Sequence, residues 1–245
     1  YYSQTEDPLQ RARTLEFETR KEFQEFLRML SEVGVHVTTF TWEPDKVWSS
    51  ERASNRGASA RYVNMDDLRT KEITHGRKFE REELWENFSY LQERLIPVAE
   101  ETKVGLALHP NDPPTDEIAG VPCLIRSYAD YRRAFDIAGS SYLGMEFCTG
   151  CWLEGGDGFG NIDAALREFS EEGRIFIVHF RNVSAPLPEF TETFLDNGYK
   201  DMYTLMSILH ETDYKGTITL DHTPHFFEDQ QYPYAETAYA VAYMR

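Results

Sequence analysis

Five apolar runs constrain this chain more than any other feature. VHVTTFTW (35–42), VGLALH (104–109), YLGMEFC (142–148), RIFIVHF (174–180) and TITLD (217–221) are short and rich in β-branched and aromatic residues. Helical periodicity fills the intervals. In 15–33, Leu15, Phe23, Phe26, Leu27 and Leu30 form one stripe, stopped by Gly34. Further helices are expected over 80–102, where Pro97 predicts a kink, from a Ser127 cap to about 138, and over 161–172, 201–211 and 233–245. The polar stretch 43–79 reads as a long loop. Near-continuous apolar strands alternating with amphipathic helices indicate a parallel sheet covered by helices.

A closed (β/α)8 barrel needs eight strands and takes about 250 residues. This chain has 245 residues but five strand patterns. Either three strands before the first are missing or the sheet is open. No low-complexity linker divides the chain, so a single domain over 1–245 is expected. It opens Tyr1-Tyr2-Ser3 without a methionine, as a fragment or processed product would.

Charge narrows the partners. Asp plus Glu number 42 against 25 for Lys plus Arg, a net charge of -17. Nucleic acid and anionic membrane both need a positive face, so neither is expected. An anionic substrate would have to find its cations locally, from a metal or from placed arginines. No segment approaches the ~18 apolar residues of a membrane span, and three cysteines are too few for a disulfide scaffold. A reducing, cytoplasmic setting is expected.

The carboxyl ends of the strands carry the chemistry. In parallel α/β folds these ends form the active-site face. Here they present His109, Cys148, His179 and Asp221, which lie 39, 31 and 42 residues apart, each about one strand-helix repeat. Two imidazoles, a thiolate and a carboxylate make a four-ligand site for a divalent metal. The thiolate leans toward zinc or iron and the carboxylate toward manganese. Cys148-Thr149-Gly150-Cys151 is formally a CxxC, but the second CxxC of a zinc ribbon is absent and no thioredoxin-like context is apparent. Cys151 is therefore read as incidental and Cys123 as a buried bystander. His36, His75 and His210 read as structural or uninformative; His225 is an outside candidate for substrate contact.

At these strand ends the sequence resembles mannonate dehydratase, of the xylose-isomerase-like barrel superfamily. The stretches that carry the likeness are LWENFSYLQERLIPVAEETKVGLALHPNDPP, FCTG, IFIVHFRNV, FTETFLDNGYKDMYTLMSIL and LDHTP. They run in family order over nearly the whole chain from Trp42. The resemblance implies an incomplete α/β TIM barrel with about five of eight strands, lacking the family's first three. It implies a divalent metal, manganese first, with iron, cobalt or zinc as alternatives, held by His109, Cys148, His179 and Asp221. The implied reaction is dehydration of D-mannonate to 2-keto-3-deoxygluconate in hexuronate catabolism. His222 and a loop tyrosine, Tyr232 with Tyr234 as fallback, would be catalytic. Asn111 departs from the family's HPDDPP pattern and the loop after His222 looks shortened.

Removing a proton α to a carboxylate and expelling the β-hydroxyl requires a base, an acid and stabilisation of the charge that builds up on the carboxylate. His222 and Tyr232 are expected to share the proton transfers. Arg181, then Arg56, would neutralise the substrate carboxylate, with Asn111 alongside. The alternatives are a metal-dependent sugar isomerase or epimerase on the same rim, or an inactive fragment. An open sheet with two bare edges would also be expected to self-associate as a homo-oligomer.

Overall fold

The computed structural model describes residues 20–226 and 234–245. Helix α1 (Arg20–Glu32) leads to β1 (Val37–Thr41). The segment expected to be loop contains β2 (Ala53–Asn55), β3 (Ala58–Ala60), β4 (Tyr62–Asn64) and the one-turn α2 (Met65–Leu68). Next come α3 (Arg81–Thr102), β5 (Gly105–His109), β6 (Glu117–Ile118), β7 (Val121–Pro122), α4 (Tyr128–Ala138), β8 (Leu143–Cys148) and α5 (Thr149–Gly155). The chain continues through α6 (Ile162–Glu171), β9 (Ile175–Phe180), β10 (Asn182–Val183), β11 (Glu189–Thr193), α7 (Met202–Glu211), β12 (Thr217–Leu220) and α8 (Tyr234–Met244).

The five apolar runs pair as one parallel sheet in the order β1-β5-β8-β9-β12, curled as half of a barrel wall. Its register sets the rim. Thr41 pairs with His109, Cys148 with His179, and Leu220 with Phe180, so the functional ends finish level with one another. Helices are started by the residues that sequence suggests: Ser127 accepts the Asp130 N–H, Asn161 that of Ala164 and Asp201 that of Tyr203. Pro97 lies inside α3, which runs on as helix past it to Thr102.

An aromatic layer locks the helices to the sheet. Trp152 stacks on Phe147 at 4.8 Å and meets Phe159 at 4.3 Å, and the buried Tyr131 donates its hydroxyl to Leu108 O at 3.0 Å. Each such ring, fully buried, contributes about 1.5–3 kcal/mol, which holds the strand ends rigidly enough to carry a site.

The loop expectation for 43–79 fails for an instructive reason. β4 pairs antiparallel with β11, and β11 with β10, forming a second, three-stranded sheet beside the main one. Its register places Glu192 opposite Val183, while the Glu192 N–H donates to Arg61 O at 2.9 Å. Arg61 and Glu192 are thereby brought to the rim by a sheet whose short strands carry little periodic signal.

Candidate active site

The rim atoms converge. His109, Cys148 and His179 each offer one ligand atom, and these lie within 4.8 Å of one another. Asp221, just past β12, sets Oδ2 3.4 Å from Cys148 Sγ and Oδ1 3.6 Å from His179 Nδ1. Each imidazole has one nitrogen engaged elsewhere. His109 Nδ1 donates to Pro110 O at 2.7 Å, and His179 Nε2 lies 2.5 Å from Glu146 Oε1. Such contacts select the tautomer whose other nitrogen offers a lone pair to the centre. For His179 that nitrogen is Nδ1, buried without a hydrogen-bond partner. Glu146 is fully buried and shares a face of β8 with Cys148, two residues on.

The electrostatics fit a cation. Burial opposes a charged His109, yet the Cys148 sulfur with Glu146 and Asp221 raises it to about 9. His179 rises to about 10 against its burial, through Cys148, Glu146 and Asp221. Burial would push the Cys148 thiol up, but Cys151, Arg181 and the two imidazoles hold it well below the ordinary range. The centre draws positive charge onto its imidazoles and negative charge onto its sulfur. Two imidazoles, a thiolate and a carboxylate at these positions fit a divalent metal ion.

Behind the rim lies a buried ion network. The fully enclosed Arg181 contacts Glu154 at 2.8 Å, Asp112 at 3.1 Å, Glu192 at 2.7 Å and Asp221 at 3.0 Å. Arg61 adds Asp112 at 2.7 Å, Glu154 at 3.3 Å and Glu192 at 3.4 Å. Gly150 makes the arrangement possible, since a Cβ there would stand 2.0 Å from Arg181 Nε. The Thr149 hydroxyl accepts the Arg181 N–H at 2.8 Å and fixes the strand end. His222 belongs to this network through Nδ1, 2.5 Å from Glu192 Oε1, while its side chain stays 41% exposed. Burial raises Glu192, but the His222 hydrogen bond and the Arg181 charge bring it down to about 2. Glu192 is therefore an ionised acceptor that holds the His222 ring.

Residues 57–245 match the model of the D-mannonate dehydratase (UxuA) family. The chain belongs to that family. A mannonate dehydratase of Enterococcus faecalis is 38% identical over 156 residues, which is 62% of this chain and 42% of that protein. One from Thermotoga neapolitana is 30% identical over 237 residues, covering 82% and 65%. The matched segment thus spans about two fifths of the Enterococcus protein's length. The crystal structure of mannonate dehydratase from Streptococcus suis serotype 2 superposes with a TM-score of 0.83 at 25% identity, covering 91% of this chain and 67% of that one. The zinc-bound IolI protein, at 14% identity and a TM-score of 0.59, shares the fold.

Within this mannonate dehydratase family member, several expectations change. Arg181 was expected to receive a substrate carboxylate, but four protein carboxylates already surround its guanidinium, away from solvent. Asn111 is buried with both ends of its amide engaged, Nδ2 donating to Trp42 O at 3.3 Å and Oδ1 accepting the Ile125 N–H at 2.8 Å. Both polar ends are thus committed to bracing the loop after β5. Arg56 is exposed and paired with Asp196 at 2.9 Å. Tyr232 lies outside the described residues; Tyr234 opens α8 and is exposed. His225 contacts Glu236 at 2.9 Å, which ties the loop after β12 to α8.

Cys151 is not incidental. CxxC does open a helix, with Cys148 as the N-cap of α5, and Arg181 Nη2 lies 3.4 Å from Cys151 Sγ. Asp112, Cys151 and Glu154 also cluster, but Arg61 and Arg181 neutralise that group, so it reads as an ion network and not a second metal site. Sequence reasoning missed Arg61, Glu146, Glu154 and Glu192. The available signal for Glu146 was an acid inside an otherwise apolar strand; for Glu192 it was the FTETF stretch of the family pattern. Beside the network, Glu43, Trp48, Asn111, Asp112 and Cys123 line a small, partly open cleft with a cavity volume of about 20 Å³.

Proposed function

We propose that this chain carries the site of metal-assisted dehydration of D-mannonate to 2-keto-3-deoxygluconate, a step of hexuronate catabolism in the cytoplasm. The observation that carries the reading is the adjacency of two groups: the His109, Cys148, His179 and Asp221 cluster, and a half-exposed histidine, His222, held at Nδ1 by Glu192 with Nε2 3.5 Å from Asp221 Oδ1. The five strands are read as part of one (β/α) barrel domain, with self-association along its edges.

A divalent ion held by His109, Cys148, His179 and Asp221, manganese first, would supply the positive charge that makes a carboxylate's α proton removable. Glu192 holds His222 Nδ1–H, and Nε2, which stands 3.5 Å from both Arg181 Nη1 and Asp221 Oδ1, is the atom that exchanges a proton with the substrate. His222 and Tyr232 divide the two transfers, one taking the α proton and the other supplying a proton to the departing hydroxide. Arg181 and Arg61 act behind this pair. They keep Asp112 and Glu192 ionised and hold Asp221 and the His222 ring in register.

The test is D-mannonate incubated with the purified protein and manganese in heavy water, read by mass spectrometry. A product lighter by one water and carrying solvent deuterium supports the dehydratase. Deuterium in an undehydrated sugar acid replaces it with an isomerase or epimerase. Full activity in His222→Ala would refute the role given to that residue; lost activity with metal content intact supports it.

A further inference from the structure

The CxxC at the start of α5 has a use that dehydration does not require. Cys148 and Cys151 are both fully buried and sit one helical turn apart, so their side chains share a face. Both sulfurs lie on one guanidinium nitrogen, Arg181 Nη2, at 3.7 and 3.4 Å. Cys151 belongs to the buried core, and its sulfur also clusters with the carboxylates of Asp112 and Glu154. On its other side, Cys148 Sγ faces the two imidazoles of the metal cluster and stands 3.4 Å from Asp221 Oδ2.

We propose that Cys148 and Cys151 are a peroxide-sensitive dithiol, and that the disulfide they form takes the sulfur ligand away from the metal centre. The second half rests on the reading of Cys148 as a ligand. The chemistry balances in two steps. The Cys148 thiolate attacks one oxygen of hydrogen peroxide, breaking the O–O bond to give a sulfenic acid and hydroxide. The Cys151 sulfur then attacks the Cys148 sulfur, breaking the S–O bond; the thiol proton leaves with the hydroxyl as water. Peroxide is reduced and two thiols are oxidised. The resulting sulfur is uncharged, a poor donor, and is drawn toward Asp112 and Glu154, away from His109 and His179. Peroxide reaches the centre from the rim, where the side chains of His179 and His222 are 22% and 41% exposed.

The experiment loads the protein with zinc, adds hydrogen peroxide stepwise, and follows zinc release with a chromogenic chelator alongside intact mass and peptide mapping. The expected product is lighter by two hydrogen atoms, linked Cys148 to Cys151, with one zinc released per link and both changes reversed by dithiothreitol. Cys123, whose thiol lies against Pro113 O at 3.7 Å, should stay reduced. Cys151→Ser should still load zinc but form no link, its Cys148 gaining oxygen instead. Thiol loss without the Cys148–Cys151 link, or a link that leaves zinc bound, overturns the proposal. Its failure shows in mass and zinc, that of the dehydratase reading in turnover, so the two are distinguishable.

Discussion

Replacing Glu43 by glutamine should remove a defined part of the protein's pH dependence. Glu43 follows β1 and is partly buried, with the Asp112 N–H 3.4 Å from its Oε1. Burial first, then the Asp112 charge, push its carboxyl from 4.5 up to about 7. The folded state holds this proton more tightly than the unfolded chain. The contribution to stability is therefore complete below about 4.5 and is lost as pH climbs through 7. At about 1.4 kcal/mol per unit of separation, the loss is roughly 3 kcal/mol. Other groups titrate too: the stability His109 and His179 gain from being raised to about 9 and about 10 is complete below 6.5 and falls as pH rises from there. Glu192, lowered to about 2, costs stability only in acid. Subtracting the variant's profile from the wild type's cancels these. Urea unfolding from about pH 4 to about pH 8, with chelator present, should show Glu43→Gln gaining roughly 3 kcal/mol on the wild type across that range. A difference that stays flat would refute the burial argument for Glu43 and its coupling to Asp112.

Gly150→Ala should expel the Arg181 guanidinium, because the new Cβ would stand 2.0 Å from its Nε. Leaving buried carboxylates without their cation costs about 3–5 kcal/mol, measurable as a lower urea midpoint. Glu146→Gln removes the charged contact 2.5 Å from His179 Nε2, and calorimetric titration should show zinc bound about 10–100-fold more weakly. Glu192→Gln should lower kcat while KM and metal content hold steady. The His222→Ala loss of about 10²–10⁴-fold is the limit it approaches; an unchanged kcat would remove Glu192 from the positioning of His222.

What could be read from the sequence follows from how each residue reaches the rim. His109, Cys148, His179 and Asp221 end strands of a parallel sheet, and such strands announce themselves by continuous apolar runs at helix-length intervals. Strand order and rim position then follow almost without choice. Arg61 and Glu192 arrive by another route, the first just before the three-residue β4 and the second on the five-residue β11, and they meet across 131 positions of sequence. Strands that short carry no periodicity, so nothing local marks them, and a polar stretch such as 43–79 looks like loop. Arg181 shows the opposite error. Its position beside His179 was legible, but its role depends on what surrounds it, and four carboxylates from four separate segments turn an expected substrate receptor into a buried brace. The same reasoning separates Cys148 from Cys151. The strand end identifies the first, whereas the second acquires meaning only when Arg181, Asp112 and Glu154 close around the first turn of α5. In this fold the candidate ligands belong to the strands and the side chains that surround them are brought in over the top, so a sequence displays the candidate metal cluster well before it displays what surrounds it.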